Sequence, residues 1–106
     1  MIDIESLRKL NRPEQIAITE HARQRLLERG IAVSDIVRCI AKGEIIKQYE
    51  DDKPSPSCLI LGMAANDSYI HVVVSHDDEF IYLITAYYPD TEVWEADFKT
   101  RKERSK

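Results

Sequence analysis

A histidine and two arginines recur at four-residue steps, His21-x3-Arg25-x3-Arg29, in the first strongly helical stretch of the chain. An α-helix turns about 100° per residue, so these side chains and Glu28 share one stripe of its surface. An imidazole titrates near neutral pH, and a guanidinium is a permanent cation whose N–H fork matches phosphate oxygens. That combination suits acid–base chemistry at a phosphodiester. It equally describes a solvated helix face on which Glu20 or Glu28 pairs with the arginines.

Two further groups carry polar chemistry. His71 and Ser75 fall on one face of a valine-rich strand pattern with Val73 between them. A histidine there is either an acid–base group or a hydrogen-bonded structural residue. Thr85 and Tyr87 share a face of the next strand pattern, with Tyr88 on the other. Hydroxyls on a sheet can hold phosphate oxygens, and a base can stack on tyrosine. The competing reading is a tyrosine-rich sheet packed on Trp94. His76 beside Asp77, Asp78 and Glu79 reads as a solvated turn. Cys39 and Cys58 lie in apolar patterns without a C-x-x-C spacing, which reads as two buried reduced thiols. No metal-ligand cluster is present, and neither a metal nor a cofactor is expected.

The elements that must position these groups are short. Residues 3–11 show helical spacing of Ile4, Leu7 and Leu10, and Pro13 breaks it. Thr19 can cap a helix holding His21 to Arg29, which Gly30 stops. Ser34 can cap a third helix ending at Gly43. Beyond it the period changes to that of strands, at 44–50, 57–65, 69–76 and 79–88, with a Pro-rich loop at 51–56 and turns at Asn66-Asp67-Ser68 and Asp77-Asp78. Val93 and Trp94 are candidates for a last short strand. Helices followed by consecutive strands predict an α+β fold, with short N-terminal helices on a four-stranded antiparallel sheet or a five-stranded one. The division expected is an N-terminal helical extension at 1–17, one α+β domain at 18–98 and a charged flexible tail at 99–106.

Composition narrows the classes. The 106 residues fit one domain, and 43% hydrophobic with 32% charged residues is an ordinary globular balance. No apolar run approaches the ~18 residues of a membrane span, and the start lacks a signal-peptide centre, so a cytoplasmic protein without membrane association is expected. The net charge of −4 is unevenly spread. Residues 50–97 hold one Lys/Arg against eleven Asp/Glu, while residues 98–106 hold five against one. A general nucleic-acid coat is therefore disfavoured, whereas a local cationic cleft remains open. The acidic middle suits a basic protein partner or solubility.

The ordered pieces resemble a known family. His21-Ala22-x-x-Arg25, Glu28-Arg29-Gly30-Ile31 and Ser34 are similar to the opening motif of domain-of-unknown-function family 4258. Gly43-Glu44-Ile45-Ile46 with Tyr49, the Pro-rich loop, Leu59-Ile60-Leu61-Gly62, His71-Val72-Val73-Val74 and Ile84-Thr85-Ala86-Tyr87-Tyr88-Pro89-Asp90 with Trp94 follow in the same order. The likeness runs from about Ile18 to Lys102. It implies a compact fold like that joining barnase, EndoU, colicin D and RelE-type ribonuclease toxins. It also implies an RNA substrate and a cognate antitoxin of the zinc-ribbon, helix-turn-helix kind. RelE-type toxins are basic and this chain is acidic, which weighs against ribosome-dependent binding more than against a small cleavage cleft.

The expected function is a metal-independent endoribonuclease, the toxin of a toxin–antitoxin pair, using the RNA's own 2′-hydroxyl as nucleophile. His21, Arg25, Arg29, His71 and Tyr87 are the candidate catalytic residues, with Thr85 and Tyr88 binding substrate. The alternative is a non-catalytic protein-binding module of the same fold. Monomer and homodimer are both compatible with the sequence.

Overall fold

The fold, taken from a computed structural model, is described for residues 1–101. Helix α1 (Ile4–Lys9) buries Leu7 completely, and the Arg8 guanidinium donates to the carbonyls of Ile40 at 3.0 Å and Gly43 at 2.9 Å. After Pro13 a single 3-10 turn leads into strand β1 (Ile16–Ile18). The Thr19 hydroxyl accepts from the Ala22 amide and opens α2 (Glu20–Arg29). Gly30 closes it in the left-handed region, φ 67°, where a side chain would be strained. Helix α3 (Val33–Lys42) starts two residues earlier than Ser34 would set it, on Ala32. The buried Asp35 carboxylate decides this: it accepts from the amides of Ala32 at 2.9 Å and Ala65 at 2.8 Å, joining the helix start to the far end of the sheet.

Strands β2 (Glu44–Tyr49), β3 (Ser57–Met63), β4 (Tyr69–His76) and β5 (Ile81–Tyr87) form an antiparallel meander. The fold class is α+β, as the order of patterns predicts. The fifth strand is not the Val93–Trp94 segment, where Trp94 makes only an isolated bridge to Arg101. It is β1, parallel to β5 through Ile16–Ile81 and Ile18–Leu83, which makes the sheet mixed with order β1-β5-β4-β3-β2. Three residues are too few to show an alternating pattern, which hides this strand from sequence reading. The first seventeen residues supply Leu7 and Ile16 to the same core as the rest of the chain.

One sheet face is apolar. Cys58, Ile60, Ile70, Val72, Val74, Ile81, Leu83 and Ala86 pack with Leu26, Ile36, Cys39 and Ile40 of the helices. The register puts Lys47, Leu59, Val73 and Thr85 in one row across the opposite face. Leu61, His71 and Tyr87 form the next row. Two bulges produce this sorting. On β2, Ile45 faces Ile60 and Lys47 faces Leu59, leaving Ile46 without an opposite number. On β5, Leu83 faces Val74 and Thr85 faces Val73, leaving Ile84 over. Each extra residue reverses the alternation beyond it. Without them Tyr49 would share a face with Ile45, and Tyr87 with Leu83.

Helix α3 lies close on β3 because Gly62 has no side chain. A Cβ there would sit 2.6 Å from the Cys39 sulfur and 2.9 Å from the Cys39 Cα. Both cysteines are unpaired, and burial pushes the Cys39 thiol up to about 12 and the Cys58 thiol up to about 11, so neither is a reactive thiolate at neutral pH. Gly62→Ala is expected to lower unfolding free energy by about 1–3 kcal/mol, the usual cost of overpacking, measured by urea titration. Parental stability in that variant would show that the helix can lift off the strand freely.

Candidate active site on the open sheet face

The face away from the helices is crossed by the chain after β5. Trp94 stands edge-on to the His71 ring, centroids 4.5 Å apart, and Phe98 lies 5.2 Å from the Tyr69 ring. Lys99 pairs with Glu44 at 3.1 Å, so the tail's first residues are docked on β2; residues 102–106 lie outside those described. Two hollows flank this crossing, and Tyr49 and Tyr87 line both. One, of about 540 Å³, adds Lys47, Trp94, Lys99 and Arg101. The other, of about 610 Å³, adds Glu50, Asp51, Asp52, Ser57 and Thr85.

The polar groups here are connected. From the last turn of α2, Arg29 Nη1 donates to Thr85 Oγ1 at 3.2 Å and to the Ala86 carbonyl at 2.9 Å. β1 pairs only the first half of β5, so this carbonyl lies on a free stretch of strand edge. Two positions further on from Thr85, the Tyr87 hydroxyl lies 3.3 Å from His71 Nδ1. His71 Nε2 lies 2.8 Å from the Phe98 carbonyl. A carbonyl can only accept, so Nε2 carries the hydrogen and Nδ1 takes the tyrosine proton. Ser57 donates to Asp52 at 2.7 Å on the acidic side.

The structure brings together Arg29, Thr85, Tyr87 and His71, and leaves His21 and Arg25 apart. Both are exposed on α2 and make no side-chain hydrogen bond among the described residues; Arg29 also lines neither hollow but reaches the face through its bond to Thr85. His21 and His71 do not share a pocket: His71 has no solvent exposure and both its nitrogens are taken. Tyr88 borders the first hollow, and its hydroxyl accepts from Asn66 at 3.4 Å. Sequence reading missed Lys47, Tyr49 and Arg101. A phase reversal at Ile46 hides the first two, and Arg101 reaches the sheet only because the chain folds back. Among the described residues no three His, Cys, Asp or Glu side chains are grouped to hold a metal, and no helix is long and apolar enough to cross a membrane.

The family described as Domain of unknown function (DUF4258) matches residues 18–88. The chain belongs to this family. The DUF4258 match contains Arg29, Tyr49, His71, Thr85 and Tyr87, whereas Trp94, Phe98 and Arg101 lie beyond it. No curated protein and no solved structure matches the chain.

Electrostatics at the DUF4258 site follow from burial. Burial raises Tyr87 above its usual 10.0, Tyr49 adds to the rise, and the Arg101 and Arg29 guanidiniums pull it back. Burial likewise raises Tyr49, against Arg101. Both phenols are thus protonated at neutral pH. Burial lowers His71 below its usual 6.5, opposed by the hydrogen bond to the Phe98 carbonyl. The folded state therefore binds fewer protons than the unfolded one just below pH 6.5. This contribution to stability is complete above that pH and is lost as pH falls towards the depressed value. An NMR titration of the His71 ring is expected to give a midpoint below 6.5 with the proton on Nε2 at neutral pH. A midpoint at or above 6.5 would contradict this burial.

Proposed function

We propose that this protein is a metal-independent endoribonuclease acting at the Tyr49–Tyr87 hollows, and that it is the toxin of a toxin–antitoxin pair. The observation that carries the reading is a tyrosine hydroxyl on an open face, backed by a buried neutral imidazole, with Arg101 lining the same hollow and the Arg29 charge, held on Thr85, felt at the phenol. In the reaction the RNA 2′-oxygen attacks the neighbouring phosphorus. Its proton passes to Tyr87 as the Tyr87 proton passes to His71 Nδ1. The P–O5′ bond breaks, leaving a 2′,3′-cyclic phosphate and a 5′-hydroxyl. The phosphorane oxygens face Arg101, with the Arg29 charge behind Thr85, and placed donors contribute about 3–4 kcal/mol in other enzymes. Thr85 acts as a positioning residue, holding Arg29. The aromatic walls offer stacking surfaces for a base. His21 and Arg25 continue the cationic stripe of α2 past Arg29 and suit contacts to a flanking strand.

Support for the toxin part is the resemblance of the ordered motifs, and its expected partner is a small zinc-ribbon, helix-turn-helix antitoxin. The test combines growth and cleavage. Induced alone, the protein is expected to arrest growth. The purified protein should cut RNA but not DNA of the same sequence, leaving cyclic phosphate ends. Tyr87→Phe should slow cleavage about 10²–10⁴-fold, and Arg29→Ala about 10²–10³-fold, with the fold intact by circular dichroism. A folded protein that neither arrests growth nor cuts RNA would be the binding module instead. An effect of His21→Ala as large as that of Tyr87→Phe would move the centre onto the helix.

A further inference from the structure

The ribonuclease reading assigns a group to take the 2′-hydroxyl proton but none to supply one to the departing 5′-oxygen. An alkoxide is a poor leaving group, so a donor on the far side of the phosphorus from the base is needed. It must reach the open face, hold a proton at neutral pH and be free of a competing partner. His71 fails the first condition, since it has no exposure. Of the lysines on this face, Lys99 is paired with Glu44 and Lys47 lies over the Tyr49 ring, 5.4 Å from its centre. Three tyrosine hydroxyls bordering this face or its ends are already engaged: Tyr87 with His71, Tyr82 with Asp77 and Tyr88 with Asn66. Tyr69, on the same face beside Phe98, borders neither hollow. The Tyr49 hydroxyl has no hydrogen-bond partner among the described residues, although Tyr49 is partly buried and borders both hollows.

Placement agrees with the need. Tyr49 sits on β2 opposite Ser57, and Tyr87 on β5 opposite His71, so two strands separate them across the sheet. Both rings nevertheless line the same two hollows, so a phosphate held in either is bordered by both phenols. Arg101 lines the same hollow as both rings, where its charge stabilises a phenolate.

We propose that Tyr49 is the leaving-group acid of this site. As the P–O5′ bond breaks, the Tyr49 hydroxyl proton moves to O5′, and Tyr49 becomes a phenolate beside Arg101. His71 meanwhile holds the proton that came through Tyr87. The cycle closes when solvent returns a proton to Tyr49 and His71 passes its extra proton back out through the Tyr87 hydroxyl to solvent, so charge and protons balance.

The test separates this from the ribonuclease reading on which it rests. Two oligonucleotides carry a single ribonucleotide, one with the natural 5′-oxygen and one with sulfur in its place at the scissile bond. A thiolate departs without protonation. Tyr49→Phe is expected to slow cleavage of the oxygen substrate about 10²–10⁴-fold, and the sulfur substrate should restore it to the wild-type rate. Tyr87→Phe should be slow on both. Equal loss on both substrates, or no loss on the oxygen one, would overturn the assignment of Tyr49 while leaving the nuclease standing. A wild-type protein that cuts neither substrate would overturn both. Keeping the ring in Tyr49→Phe preserves packing, and an unchanged thermal midpoint verifies that.

Discussion

Two single-residue insertions in the sheet decide what this molecule can present to solvent. Ile46 on β2 and Ile84 on β5 each have no opposite number, and past each the strand reverses which side its residues occupy. The helices claim one side of the sheet through Ile60, Val72 and Leu83, so the reversal sends Lys47, Tyr49, Thr85 and Tyr87 to the other. Without it two tyrosines, a lysine and a threonine would compete with aliphatic side chains for the helix interface, where unpartnered polar groups are costly. The bulges serve both the core, by keeping it apolar, and the site, by gathering its hydroxyls.

The buried imidazole then joins that face to the chain that crosses it. His71 touches Trp94, bonds the Phe98 carbonyl with one nitrogen and receives the Tyr87 hydroxyl with the other. A residue with two fixed partners cannot swing, so the tyrosine it holds is oriented as well. Burial also keeps it neutral, and a neutral ring is the form that can accept a proton. The competing views of a strand histidine, structural or chemical, are here compatible, since the bonds that fix the ring also leave it beside the Tyr87 hydroxyl, as the proposed chemistry requires.

Much of the fold is legible in the sequence because it rests on local signals. Thr19 and Gly30 bound α2 as their types dictate, and the four long strands follow apolar patterns broken by turn residues. What escaped has a common cause in long-range contacts. The Ala32 start of α3 depends on an Asp35 carboxylate shared with Ala65, thirty positions away. β1 exists through its pairing with β5. At the site, Arg29, Thr85, Tyr87 and His71 could be nominated by residue type. Grouping them with Tyr49 and Arg101, and setting aside the more conspicuous His21, required the bulges and the returning C-terminal segment.

The anchoring of Arg29 has an electrical consequence. Its two acceptors, a hydroxyl and a peptide carbonyl, carry no net charge, and among the described residues no carboxylate pairs with it. A guanidinium held by an aspartate would present little more than a dipole to its surroundings. Held by neutral oxygens, this one is immobilised while remaining a full monopole, and its attraction for a passing polyanion extends over roughly 8 Å at physiological salt. An overall acidic protein can thereby keep one small region of its surface inviting to negative charge.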